Sequence, residues 1–194
     1  MRVFFRFFVG DRHLQSEGRL RVNELWLAIL LSLFFLPSIL YSQWIQDPSI
    51  DQLMQKGIAN VYNLEYSSAD KFFSEVVKRK PDHPAGYFFK AMVVWLQILN
   101  NFEDESHDDK FYDMLDGVID MCDERLDMYP NDVTALFFKG GAIGFRGRLR
   151  ANRGKWLGAA KDGIQALPIV RKAYELEPNN YDVLLGIGIY NYYA

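Results

Sequence analysis

Cysteine occurs once, at Cys122, so the chain can close no disulfide within itself and carries no paired-thiolate metal or redox motif. A lone thiol of this kind is read as a small core residue rather than a reactive one. Histidine is nearly as scarce, with His13, His83 and His107 the only three, and no GxSxG, HExxH or paired Cys/His signature occurs. A triad-type hydrolase would therefore lack an identifiable base, and no enzymatic activity is expected. Helix-spaced carboxylates such as Asp113 with Asp116, or Asp120 with Asp123, read as solvated charge on a helix face. Positive charge is not in excess either: 22 Lys and Arg stand against 25 Asp and Glu, and beyond residue 42 the balance is 17 against 22. That excludes the basic footprint of a nucleic-acid binder. No cofactor motif is present, since GxGxxG and GxxxxGK[ST] are both absent.

The chain also lacks a long apolar run. Its most hydrophobic stretch, Leu25–Leu36, is 12 residues with Ser32 the only polar one, preceded by Arg19 and Arg21 and followed by Pro37. A basic flank, a short apolar core and a small residue at Ser42 form the layout of a secretory signal, with residues 1–42 as extension and signal and 43–49 as a linker. Extended to Tyr41 the run reaches the lower edge of the roughly 17–25 residues a spanning helix needs. A retained anchor is thus the competing reading, and the only membrane contact expected. Residues 1–18 fit neither a signal nor a repeat, which places the expected translation start near Val22.

What the chain has in abundance is apolar and aromatic residues, 49% and 15% against 24% charged, enough to fold. They are arranged with a period. Gly57 is followed by Ala69, Phe73 and Pro81 at intervals of twelve, four and eight. Prolines recur at Pro81, Pro130 and Pro178. Ten residues after each stands Ala91, Gly140 or Gly188; thirteen after, Val94, Ile143 or Asn191. Twelve before each stands Ala69, Val118 or Ala166; eight before, Phe73, Cys122 or Val170. This pattern resembles the tetratricopeptide repeat, in which pairs of antiparallel helices approach most closely at small residues.

The resemblance implies an all-α, tetratricopeptide-like solenoid of helical hairpins, elongated and right-handed, with repeats at 50–83, 84–132 and 133–180 and a partial one at 181–194. The proline spacings of 49 and 48 exceed the family's usual 34, so repeats two and three are expected to carry about 14 or 15 extra residues between their helices. Those stretches would include Asn100–Lys110 and Arg146–Lys155, and Pro168 would break or kink the last second helix. The partial repeat is apolar nearly all round, so further repeats or a partner are expected to cover it, as in the N-terminal piece of a longer protein.

In this family ligands lie in the concave groove lined by the first helix of each repeat. Carried over, that groove would be Met54, Ile58, Tyr62, Phe88, Met92, Trp95, Phe137, Phe145, Leu185, Ile189 and Tyr192, with the self-filled groove as the competing expectation. Gly140, Gly141, Gly144 and Gly147 would each cost about 1 kcal/mol relative to alanine in a helix. Close packing through Gly140 and Gly144 on one face is the expected compensation, and an anion cradle before Arg146, Arg148, Arg150 and Arg153 the weaker alternative. The acidic run Glu103, Asp104, Glu105, Asp108 and Asp109 lacks the order of a calcium loop. It is expected to be solvated or to pair with Arg146–Arg153, and no metal site is expected. The function these features suggest is an exported scaffold for a protein or peptide partner in the periplasm or outer envelope. The alternatives are a carrier of an apolar or acyl ligand, or an N-terminal part attached to a separate functional domain.

Overall fold

In a computed structural model the chain divides into two units, Met1–Leu40 and Tyr41–Ala194. The structure describes residues 45, 47–180, 182–184 and 186–188. The signal-like run, the linker's start and Asn191 lie outside them. Six helices are described in full: α1 Pro48–Tyr62, α2 Tyr66–Arg79, α3 Pro84–Asn100, α4 Asp108–Met128, α5 Val133–Asn152 and α6 Trp156–Leu176. Residues 182–184 and 186–188 are helical again. Each helix packs on the next in chain order, and α3 also touches α5, so the chain is an all-helical array of hairpins among the described residues.

The proline register has a physical basis in the backbone. Lys80, Tyr129 and Glu177 end α2, α4 and α6 with nearly the same dihedrals, φ near −133° and ψ between 67° and 78°. A residue before proline is driven out of helical geometry, so each helix must stop there. The amide two residues past each proline then donates back to that terminal residue's carbonyl: His83 to Lys80, Asp132 to Tyr129, Asn180 to Glu177. The same residue caps the next helical segment. His83 Nδ1 accepts from the Ala85 amide, Asp132 Oδ1 from the Ala135 amide and Asn180 Oδ1 from the Val183 amide. Each cap satisfies a first-turn donor that has no partner within its helix.

The extra length sits elsewhere than the spacing suggests. Only residues 101–107 form a loop in hairpin two and 153–155 in hairpin three, so most of the added residues lengthen the helices. Arg146–Asn152 belongs to α5 and is no insertion. Likewise α6 runs through Pro168 from Trp156 to Leu176. Pro168 is exposed, so the Ile164 carbonyl that loses its bond faces solvent, and the break expected there does not occur.

Tight turns close hairpins one and three in the same way. The Glu65 amide donates to the Asn60 carbonyl and Leu64 to Val61; Lys155 donates to Arg150 and Gly154 to Ala151. Both are six-to-one and five-to-two closures that need a left-handed residue between. Gly154 supplies it with φ 71°, but the equivalent residue in hairpin one is Leu64, with φ 61°. A side chain held there costs about 1–2 kcal/mol. Leu64→Gly should therefore raise stability by roughly 1 kcal/mol in urea titrations, because Leu64 is mostly exposed and little packing is lost.

Small residues set the helix separations. Ala69, Val118 and Ala166 are all buried, as are Ala91 and Gly140. A methyl on Gly140 would lie 2.4 Å from a Val170 methyl, and one on Gly147 2.9 Å from Asp162 Cβ, whereas nothing stands within 4 Å of one on Gly144. The close face of α5 is therefore 140 with 147, and the expected pairing of Gly140 with Gly144 is corrected. Gly140→Leu should cost about 1–3 kcal/mol by overpacking, while Gly144→Ala should gain about 0.5–1 kcal/mol from helix propensity alone. Opposite shifts in melting temperature would check both. Gly188, the third residue of the Ala91 and Gly140 series, is exposed with open space around it.

Candidate functional site

The first helices of hairpins two and three, α3 and α5, meet through aromatic side chains. The Phe88 ring lies 5.4 Å from Phe138 and 6.0 Å from Phe145, both edge-on. Trp95 stacks on Phe111 of α4 at 5.5 Å and meets Phe145 at 5.7 Å. Such pairs add about 0.5–1.5 kcal/mol each beyond the area they bury. Phe88 and Trp95 are buried in consequence, and Met54 of α1 is buried as well. They cannot line an open trough, which corrects that part of the groove carried over by resemblance. Ile58, Met92, Phe137 and Phe145 are half-buried and packed on the same core. Tyr62 is 83% exposed at the end of α1. Leu185, Ile189 and Tyr192 lie outside the described residues. The aromatic residues of α3 and α5 thus fill the space between their helices with one another.

Beside this cluster runs a line of ion pairs that no local sequence window shows. Lys139, Arg146 and Arg153 of α5 and its cap recur every seven residues and meet Asp123, Asp116 and Asp108 of α4. Arg146 Nη1 lies 2.5 Å from Asp116 Oδ1, and Arg153 grips both oxygens of Asp108 at 2.7 and 3.0 Å while donating to the Phe102 carbonyl at 2.6 Å. The acidic segment and the arginine segment do pair, through Asp108 and, at 4.0 Å, Glu105. On its other side Arg146 Nη2 donates to Asp162 Oδ1 at 2.8 Å, and Arg150 Nη1 donates to Asp162 Oδ2 at 2.5 Å. Asp162 is 1% exposed, so it is a buried carboxylate held by two guanidiniums.

The geometry sets the charge states. Burial pulls the Arg146 pKa down, but hydrogen bonds to Asp162 and Asp116 outweigh it and the net shift is upward. The hydrogen bond to Asp108 raises Arg153. Arg148 stands over the Trp95 ring at 5.6 Å. These cations are engaged by carboxylates and rings, and Gly140 and Gly147 pack against α6. The glycine and arginine segment is therefore an interhelix lock rather than an anion cradle. Among the described residues no group of three or more His, Cys, Asp or Glu is placed to hold a metal ion.

Burial pushes the Cys122 thiol up to about 12. The unfolded thiol loses its proton near 8.5, so between these values the unfolded state binds fewer protons and stability falls as pH rises. The contribution is complete below about pH 8.5 and declines by up to about 1.4 kcal/mol per pH unit above it. Cys122→Ala should flatten that alkaline decline relative to the parent in denaturation series between about pH 9 and 11. Equal slopes would contradict the buried thiol.

Two open hollows lie at the hairpin ends, one lined by Lys80, Pro81, His83 and Arg125, the other by Arg125, Tyr129, Pro130 and Asp132. Arg125 separates them and is committed to Asp132 at 2.6 Å. A different surface is less accounted for. On α6, Leu157 is 91% exposed, Ile164 76% and Trp156 70%.

No protein-family profile and no curated protein matches the chain. Among solved structures, the chain is similar to the TPR domain of Arabidopsis OM64, at 16% identity over 75% of this chain and 96% of that one, with a TM-score of 0.36. It is also similar to the first TPR of Spaghetti (RPAP3), bound to the HSP90 peptide SRMEEVD, at 16% identity over 77% and 96%, with a TM-score of 0.37. Both scores are low, and the architecture rests on this chain's own helices.

Proposed function

We propose that this chain is a non-catalytic scaffold of tetratricopeptide-like hairpins that binds a protein partner. The observation that carries this is the exposed apolar surface of α6, where three large side chains, Trp156, Leu157 and Ile164, face solvent. Contiguous apolar surface of this kind marks interaction sites on soluble proteins. The interior supports a passive role: its cations and carboxylates are spent on helix contacts, which hold the helices rigid and limit the ordering entropy lost on binding.

The apolar-ligand carrier is the weaker alternative, because Phe88, Trp95 and Phe145 occupy one another's space. Export to the periplasm or outer envelope is part of the proposal and rests on the Leu25–Leu36 run alone. No helix among the described residues is long and apolar enough to cross a membrane. Photo-crosslinking of the native full-length protein, followed by mass spectrometry, tests the scaffold reading. A reproducible protein adduct is expected; copurifying lipid with no protein adduct would favour the carrier instead. Peptides mapping upstream of Arg19 in the native protein would count against the exported start.

A further inference from the structure

The three caps that follow the prolines bond alike but respond differently to acid. Ala85, Ala135 and Val183 each donate an amide proton to the side chain two or three residues before, on His83, Asp132 or Asn180. A side-chain amide does not titrate and an aspartate carboxylate ordinarily does so near pH 4, whereas an imidazole ordinarily takes up its proton near pH 6.5. A backbone N–H can only donate, so the 3.2 Å approach of the Ala85 amide requires an unprotonated Nδ1 on His83. Once that nitrogen carries a proton, two donors face each other and the bond is gone.

The surroundings make that loss costly. Pro84 opens α3 and has no N–H, so Ala85 carries the first amide of the helix. Ala85 is 1% exposed, and Pro84 and Gly86 beside it are buried too, so water has little access as a replacement acceptor. The same turn is pressed on α2: a methyl on Gly86 would stand 2.8 Å from a Val77 methyl and 3.1 Å from the Val77 nitrogen. The His83 ring also meets Phe138 of α5 edge-on at 6.1 Å, so one imidazole sits where α2, α3 and α5 converge. In the hollow that His83 shares, the charged groups are Arg79 and Lys80 at the end of α2, Asp82 in the turn and Arg125 of α4. Arg79 is paired with Glu75 at 2.7 Å, Lys80 with Asp47 at 3.9 Å and Arg125 with Asp132 at 2.6 Å. Of the groups lining the hollow, Asp82 favours an imidazolium; Arg79, Lys80, Arg125 and the positive end of α3 oppose it.

We propose that His83 is a pH-sensitive latch between hairpins one and two: as the neutral imidazole it holds the first turn of α3 on α2, and on taking a proton at Nδ1 it lets that turn go. The unfolded chain accepts the proton at an ordinary imidazole while the folded chain resists it, so in mild acid the unfolded state binds more protons. The contribution of the latch is therefore present above about pH 6.5 and declines as the pH falls below it. Junctions capped by Asp132 and Asn180 carry no such group, so the first hairpin is the part that acid loosens. The latch is a property of the fold and stands apart from the scaffold reading.

Amide hydrogen exchange of the full-length protein, resolved by residue and corrected for the intrinsic pH dependence of exchange, tests this with Ala135 under Asp132 as the internal reference. From about pH 7.5 to about pH 5.5, the protection of the Ala85 amide relative to that of Ala135 should fall by about tenfold. In His83→Asn, which keeps a cap acceptor that does not titrate, the ratio should stay level over the same range. His83→Ala, which removes the acceptor, should give a low ratio at both ends of it. His107→Gln should behave like the parent, since His107 makes no side-chain cap bond to α4. A level ratio in the parent would overturn the inference. So would an acid loss that persists in His83→Asn or disappears in His107→Gln, or a His83→Ala variant whose Ala85 amide is as well protected as the parent's at neutral pH.

Discussion

Truncating Phe73 to alanine is expected to destabilise the protein by about 3–5 kcal/mol, and the loss should depend on Gly57. Phe73 is fully buried on α2, and its ring lies where a side chain on Gly57 of α1 would go. A methyl there would stand 2.4 to 2.9 Å from three ring carbons. The ring also meets Phe89 of α3 at 5.4 Å, so one side chain ties three consecutive helices. Gly57→Ala alone should be destabilising, because a rigid ring in a close-packed interior cannot shift far. In the Phe73→Ala background the same substitution fills the vacated space, gains helix propensity, and should become neutral or stabilising. A double-mutant cycle by urea denaturation should therefore give a coupling of at least about 1 kcal/mol. Additive effects would mean that the two residues are not in contact.

The second large effect is expected at Asp162. Its carboxylate is 1% exposed and bridges Arg146 and Arg150 across the α5–α6 interface. Among the described residues, Asp162→Ala removes the only carboxylate that pairs with Arg150, which otherwise stands over the Tyr112 ring, and one of the two that pair with Arg146. Breaking a buried pair in this way costs about 3–5 kcal/mol, because the remaining charges stay desolvated. The cost is not the net worth of the bridge. Combining Asp162→Leu with Arg146→Met and Arg150→Met should recover much of the loss, since apolar replacement of a whole buried ionic group is often neutral. A triple variant as unstable as the single one would show that Asp162 acts through backbone packing against Gly147 instead.

The mistaken expectations share one cause. Arg146–Lys155 reads as a polar insertion because all its residues but Leu149 and Ala151 are Arg, Lys, Asn or Gly. Its arginines are polar for contacts with Asp108, Asp116 and Asp162, and Asp108 lies 45 residues away from Arg153. Nothing in a local window separates an arginine that faces water from one that faces a distant carboxylate. The choice between Gly144 and Gly147 has the same origin: both lie one or two turns from Gly140, and only the crossing of α5 over α6 selects one. Groove positions transferred by resemblance assumed an open concave face, but Phe88 and Trp95 are large enough to reach Phe138, Phe145 and Phe111 and close it locally.

By itself the sequence determined where the helices stop and restart, through prolines and capping side chains that act on their own neighbours within a few bonds. It also determined which positions must be small or apolar, since burial of Ala69, Val118 and Ala166 follows from their period. The tertiary structure alone decided which charges are locked, which glycines are in contact and which apolar side chains remain outside. Those outcomes depend on how far each long helix extends past its hairpin partner, and that is set by packing between residues distant along the chain.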